Sequence, residues 1–283
     1  MHLLLLLFLL SLHHSDCFIG LRSLSNRLQQ TTRSPLRNAA STSDIKLSNK
    51  NNTCVLGGFT IVAEEIDLSD AEVADHALSL PPSTIRLLNV GAGWGNGAHP
   101  TTRLCFEFLK QHVAGGDTVL DYGTGSGILA ILAAKLGAQR VVAVDIDDDT
   151  LAAADKNMVL NGVVNFVDVT HTRYVYVGED RFPPADITVA NILPGALSML
   201  APTLWGLTRP GGLLCVSGIR PHELPAIQRI YGPYVDVTHE EVRQEAHALY
   251  GEWVSWAVRT KTNVSDDERR RIRDALTEAA MDR

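Results

Sequence analysis

The sequence predicts an α/β protein: a doubly wound, Rossmann-like sheet of seven strands with an antiparallel last strand. Three observations predict it. Thr118–Asp145 reads as strand, glycine turn, helix and a second strand ending in an acid, the order of a βαβ nucleotide-binding unit. Apolar runs then alternate with helix-like segments as far as Ile219, the pattern of a mostly parallel sheet with helices on both faces. Two alternating runs, Val235–Val242 and Glu252–Thr260, follow as a hairpin that supplies the antiparallel end.

In chain order, Phe59–Ile66 reads as a strand, Ser69–Leu80 as helix-like or irregular until Pro81-Pro82 breaks it, and Ile85–Val90 as a short strand. His99-Pro100-Thr101-Thr102 leads into a helix from Arg103 to about His112. The seven-stranded sheet opens with Thr118–Tyr122, followed by a helix at 128–136 and a second strand at Arg140–Ile146. A helix from Thr150 to Leu160 stops at Asn161-Gly162. Asn165–Thr172 is the third strand and Ala185–Leu193 the fourth, with a helix then running to about Leu207. Pro210-Gly211-Gly212 is a turn before the fifth strand, Leu213–Ile219, and Pro221–Tyr231 is a helix. The tail from Ser265 to Met281 carries a capping box, Ser265-Asp-Asp-Glu268, and a helix with Arg269, Arg270, Arg271 and Arg273. Those arginines read first as a solvated face and second as a docking patch.

The glycine loop narrows the ligand. Gly123, Gly125 and Gly127 let the backbone approach a ligand closely. A dinucleotide loop has the pattern G-x-G-x-x-G; here the third glycine comes one residue early, and Ile128 stands where that pattern wants glycine. Asp121 precedes the loop, and Asp145 lies 22 residues past Gly123, where a carboxylate can accept both ribose hydroxyls. This arrangement suits S-adenosylmethionine, which has no pyrophosphate for a helix N-terminus to hold. It offers instead an ammonium, a carboxylate and a sulfonium. Asp121, Gly123, Gly125, Gly127 and Asp145 are therefore candidate cofactor-binding residues, with a structural glycine turn as the bland alternative.

Composition limits the other functions. The chain has 283 residues, 45% hydrophobic, and a formal net charge of −7. Residues 1–53 hold six basic and two acidic residues, net +4, so the remainder carries −11. An acidic body argues against direct nucleic-acid binding and tolerates a basic protein substrate. Cys17, Cys54, Cys105 and Cys215 form no C-x-x-C pair, and no metal site or disulfide framework is legible.

The first 50 residues read as a targeting segment. Leu3–Leu10 is an unbroken apolar run, too short to span a bilayer and of signal-peptide length. Ser15 and Cys17 are small residues before a cleavage point at Phe18. From Phe18 to Ser43 there are four Arg, eight Ser or Thr and no acid, a transit-peptide composition. A signal peptide over 1–17 followed by a transit-like stretch over 18–50 predicts an organelle address, plastid before mitochondrion and both before secretion. The targeting peptide would be cleaved, leaving a mature form with no membrane segment.

Three more motifs surround the cofactor loop: Trp94-Gly95-Asn96-Gly97-Ala98-His99-Pro100-Thr101-Thr102 before it, Val189-Ala190-Asn191-Ile192-Leu193 at the end of the fourth strand, and Ser217-Gly218-Ile219 at the end of the fifth. Together with LDYGTGSGILAILAAKLGA they resemble the PrmA family, protein-lysine methyltransferases that modify a large-subunit ribosomal protein (number eleven). The resemblance covers roughly Phe59–Lys261. It implies a class I methyltransferase sheet, with the methyltransferase domain at 91–261 and a charged tail at 262–283. It also implies that Thr102 contacts the cofactor, Gly123 lies against its methionine end, Asp145 holds the ribose, and Asn191 stands at the methyl-transfer site as catalytic and cofactor-contacting residue. Asn191 reads otherwise as a strand-end cap, and Thr102 as a helix-start residue. His99 is a structural histidine or, less readily, a base. Trp94 lines the cofactor or substrate lip, or packs in the core. The chain departs from the family pattern where Trp94 replaces Phe and Asn96 replaces Thr.

The family's N-terminal substrate domain is not legible. Residues 54–90 number 37, and a chain of under roughly 40 residues rarely makes its own core, so they read as a linker or truncated region. The resemblance implies a protein partner with an accessible lysine or N-terminal amine, a ribosomal protein first. The alternatives are the electron transfer flavoprotein beta subunit, a small-molecule acceptor, or a non-catalytic S-adenosylmethionine-binding module.

Overall fold

The structure is a computed structural model; it describes residues 52–64, 81–88, 97–175, 182–265, 267, 268 and 271. Trp94, Asn96, the targeting segment, the 69–80 stretch and most of the charged tail lie outside these residues. Of the tail's capping box, the Glu268 amide donates to Ser265 Oγ at 3.2 Å.

Seven strands make the main sheet: β4 (Thr118–Tyr122), β5 (Arg140–Asp145), β6 (Val167–His171), β7 (Ala185–Asn191), β8 (Thr208–Ile219), β9 (Val235–His247) and β10 (Gly251–Thr260). Their order is β6-β5-β4-β7-β8-β10-β9. β4 pairs in parallel with β5 and β7, and β10 runs antiparallel between β8 and β9. The order reverses between β4 and β7, and ligands of such sheets sit beyond the carboxyl ends of the strands at that reversal.

Alternate residues of the central strands feed two separate cores. Val119, Val141, Ala143, Ile187, Val189 and Cys215 face helices α1 (Pro100–His112), α2 (Ile128–Lys135) and α3 (Asp148–Leu160). Leu120, Tyr122, Val142, Val144, Ala190 and Val216 face α4 (Pro194–Gly206) and α5 (Leu224–Tyr231). Strands buried on both faces need near-continuous apolar runs, so β4 and β5 stand out in the sequence.

Several boundaries differ from the sequence expectation by two to five residues, β9 running on to His247 and α5 starting at Leu224, and the starts of α1 and β8 differ for identifiable reasons. α1 begins at Pro100, three residues before Arg103, because His99 caps it through its side chain and Pro100 occupies the first helical position, where a missing N–H costs nothing. β8 begins at Thr208. Its pairing with β7 shifts between Ala185 and Ile187, so Pro210-Gly211-Gly212 is an irregularity inside the strand rather than a turn before it.

The stretch expected as a linker or truncated region holds a three-stranded sheet, β1 (Asn52–Leu56), β2 (Phe59–Glu64) and β3 (Thr84–Leu88). Gly57 and Gly58, at φ 57° and 87°, make the tight β1–β2 hairpin, a turn that needs two left-handed residues. Cys54, Leu56, Phe59, Ile61, Ala63, Ile85 and Leu87 are buried in the same core as α1 and α2. The small sheet therefore needs no core of its own.

Candidate active site

The glycine loop joins β4 to α2 at the point where the strand order reverses. Its three glycines sit at φ 81°, 54° and 84°, a backbone region L-residues avoid. The Gly123 and Thr124 amides donate to the Val144 carbonyl at 2.8 and 2.9 Å, and the Gly125 amide donates to Asp145 Oδ2 at 2.9 Å. The loop is thus tied to the end of β5, and Asp121, Gly123, Gly125, Gly127 and Asp145 come together as the sequence predicts. A β-carbon on Gly127 would meet Met158 Cε at 2.4 Å, and one on Gly123 would meet Ile192 Cγ2 at 2.2 Å, whereas one on Gly125 would meet nothing within 4 Å. The Gly125 side of the loop is the open side.

The two acids are used differently. Asp121 is buried at 1% exposure. Its Oδ2 accepts from Thr124 Oγ1 at 2.7 Å and from the Ala130 amide at 3.1 Å. Its Oδ1 is buried with no hydrogen-bond partner among the described residues. Burial pushes the Asp121 carboxyl up to about 7 against those two hydrogen bonds, and the neighbouring Asp145 charge adds to the rise. Asp121 braces the loop and the start of α2, and its second oxygen remains an acceptor. Asp145 is half-buried at the end of β5; its Oδ1 accepts from the Ile146 and Asp147 amides at 2.8 and 3.3 Å. A carboxylate offers about four acceptor positions; with two taken on Oδ1 and one on Oδ2 by the Gly125 amide, Asp145 keeps one position on Oδ2 for a hydroxyl.

Asn191 ends β7, in register with Ser217 of β8. Ile192, the next residue, is held from two sides: besides its contact with Gly123, a β-carbon on Gly218 would lie 2.2 Å from the Ile192 carbonyl oxygen. The glycine loop, Asn191-Ile192-Leu193 and Ser217-Gly218-Ile219 thus converge on one residue, and Asn191 is fixed beside the reversal point.

Thr102 is buried in the first turn of α1. The segment leading to it abuts the end of the loop, since a β-carbon on Gly97 would meet Ile128 Cδ1 at 3.2 Å and Ile61 Cγ2 at 3.3 Å. His99 is 3% exposed, its Nδ1 lies 2.8 Å from Thr101 Oγ1, and its ring sits 4.8 Å from the rings of both Tyr250 and Trp253. Burial, followed by the Arg220 and His247 charges, lowers its pKa. These contacts favour the structural reading of His99 over the base. Arg220, the residue after β8, stacks on Trp253 at 3.7 Å and donates to the Tyr250 and Glu252 carbonyls at 2.9 and 3.1 Å, so it braces the β9–β10 hairpin against the end of β8, while the His99 ring contacts set the start of α1 against the same hairpin.

Sequence reasoning does not single out Ile192, nor Ile146, which is 73% exposed directly after Asp145. An isoleucine inside the acidic run Asp145–Asp149 is the signal that marks it. Among the described residues no group of three or more His, Cys, Asp and Glu side chains is placed to hold a metal ion, and no helix is long and apolar enough to cross a membrane.

The model of the family described as ribosomal protein L11 methyltransferase (PrmA) matches residues 78–260, a range that contains the glycine loop and the motifs at 94–102, 189–193 and 217–219. The chain belongs to this family. Among curated L11 methyltransferases, that of Dechloromonas aromatica is 42% identical over 176 residues, covering 62% of this chain and 57% of its own. That of Pseudomonas aeruginosa (strain LESB58) is 44% identical over 165 residues, covering 57% and 54%. A crystal structure of the ribosomal protein L11 methylase of Lactobacillus delbrueckii subsp. bulgaricus is 30% identical, with a TM-score of 0.54 and coverage of 72% of this chain and 95% of that one. The chain thus spans a little over half the length of these two curated PrmA relatives.

Proposed function

We propose that this chain is an S-adenosylmethionine-dependent protein methyltransferase of the PrmA type, acting on a lysine or N-terminal amine, with a ribosomal protein as first substrate. The observation that carries the reading is the convergence at Ile192. It places Asn191 beside a glycine loop whose open side and acceptor carboxylates suit a ribose and an ammonium. S-adenosylmethionine supplies an electrophilic methyl group when bound. Asp145 would accept from the ribose, the loop glycines would leave room for the methionine end, and Asp121 Oδ1 offers a buried acceptor close behind. Thr102 contributes from the start of α1.

Methyl transfer needs an amine lone pair held in line with the methyl carbon. A lysine amine is protonated near neutral pH and must lose a proton first. The Asn191 side-chain carbonyl would accept from the amine and aim it. His99 is engaged as a helix cap between two aromatic rings and is not assigned the proton.

The relatives named for ribosomal protein L11 favour that substrate class over the electron transfer flavoprotein beta subunit. The acceptor experiment is incubation with labelled S-adenosylmethionine and organelle extract, then mass spectrometry. Label on a lysine or N-terminal amine of a ribosomal protein is expected; label on a small molecule or on RNA contradicts the reading. The transit-like composition of 18–50 supports an organelle address, plastid before mitochondrion. Fluorescent fusions of residues 1–50 and 18–50 test it: the longer should reach the plastid and the shorter should be misrouted, while secretion of the longer contradicts it.

A further inference from the structure

Two asparagines one turn apart, Asn157 in α3 and Asn161 at its C-cap, close the edge of β3. Asn157 Oδ1 accepts from the Leu88 amide at 2.8 Å, and its Nδ2 donates to the Leu88 carbonyl at 3.4 Å. Asn161 Oδ1 accepts from the Arg86 amide at 3.0 Å, and its Nδ2 donates to the Arg86 carbonyl at 2.7 Å. The match has a simple metric. Four helical residues rise about 6 Å and two strand residues about 6.6 Å, so amides at i and i+4 of a helix meet alternate residues of a strand. The pair replaces a missing neighbouring strand.

Asn157 does one thing more. Its Nδ2 also donates to the Ser126 carbonyl at 2.9 Å, and it is fully buried. Ser126 lies between Gly125, held by Asp145, and Gly127, packed on Met158. Asn161 makes no such reach: its remaining bond goes to the Asn157 carbonyl at 2.8 Å. One buried amide thus grips both the end of β3 and the glycine loop.

We propose that Asn157 is a positioning residue for the cofactor, transmitting the seating of the small sheet into the shape of the glycine loop. The small sheet is then part of the cofactor site. This rests on the reading of the loop as an S-adenosylmethionine site. Asn161 is the internal control, because it holds the same strand by the same chemistry and leaves the loop alone.

The test compares Asn157→Asp with Asn161→Asp in the full chain. Each swap keeps the side-chain shape and the acceptor and removes the donor. Both should lower the melting temperature. Only Asn157→Asp should weaken S-adenosylhomocysteine by at least about tenfold, the size of one lost buried hydrogen bond, and only it should speed hydrogen exchange at the Gly125 and Gly127 amides. Equal losses of affinity in the two variants, or unchanged loop exchange in Asn157→Asp, overturn the proposal. If a buried carboxylate prevents folding, the uncharged pair Asn157→Ser and Asn161→Ser gives the same comparison. Wild-type protein that binds no S-adenosylhomocysteine overturns the cofactor reading instead, and the exchange pattern separates the two failures.

Discussion

Ile192 lies so close to Gly218 that no side chain fits between them: a β-carbon on Gly218 would sit 2.2 Å from the Ile192 carbonyl oxygen. The contact is with backbone, which cannot swing aside as a flexible side chain can. With Gly123 on the other side, it fixes the residue that follows Asn191, and so fixes the proposed amine-orienting group relative to the glycine loop.

Gly218→Ala and Gly125→Ala should therefore fail in different ways. Gly218 has φ 88° and no space; Gly125 has φ 54° and open space. Gly218→Ala should lose about 1–3 kcal/mol of stability from strain alone, with the clash added, read as a lower urea midpoint. Gly125→Ala should be the milder of the two in stability and the worse in S-adenosylhomocysteine affinity. The reverse ranking contradicts the assignment of the open side.

Asn191→Ala should lower turnover at least about tenfold, or 1.4 kcal/mol of barrier, while cofactor affinity falls by less. Steady-state kinetics and calorimetry on the same preparation decide it. Unchanged turnover removes Asn191 from the mechanism.

His99→Asn should keep turnover within about tenfold, because Asn is a competent helix cap, whereas loss of a general base costs about 10²–10⁴-fold. The pH–rate profile should keep its shape. A collapse of turnover with loss of one limb of the profile would make His99 the base.

Asp121 gives a pH signature. Its carboxyl titrates at about 7 in the folded chain against an ordinary 3.8. Between these values the folded state holds the proton more tightly than the unfolded state, so this group's contribution to stability falls as pH rises from about 4 to 7. Asp121→Asn should remove that fall and gain on the parent at pH 8 relative to pH 5, measured by denaturant midpoints without cofactor. An equal difference at both pH values contradicts the burial account.

Much of this was legible in the sequence, for physical reasons that differ by residue. β4 and β5 are buried on both faces, so their apolar runs stand out. The glycine loop is legible because left-handed backbone demands glycine at Gly123, Gly125 and Gly127. β1 is hidden because a five-residue strand that borrows the main core has no periodicity of its own to show. Ile192 is hidden because its confinement needs the ends of β4, β7 and β8 to meet. Asn157 looks like an ordinary polar position and Asn161 like a helix stop, and only the placement of β3 against α3 shows that both hold the strand. The start of α1 is misplaced by three residues because a capping histidine is an uncommon helix signal.

Calorimetry with S-adenosylhomocysteine and NAD decides whether Asp145 and the glycine loop form an S-adenosylmethionine site. The wild-type chain should bind S-adenosylhomocysteine and show no comparable response to NAD. Asp145→Ala, which also frees the Gly125 amide, should weaken that binding by about 1–3 kcal/mol, the range for a charge-assisted hydrogen bond. Tight NAD binding, or S-adenosylhomocysteine affinity unaffected by Asp145→Ala, would remove Asp145 and the glycine loop from an S-adenosylmethionine site.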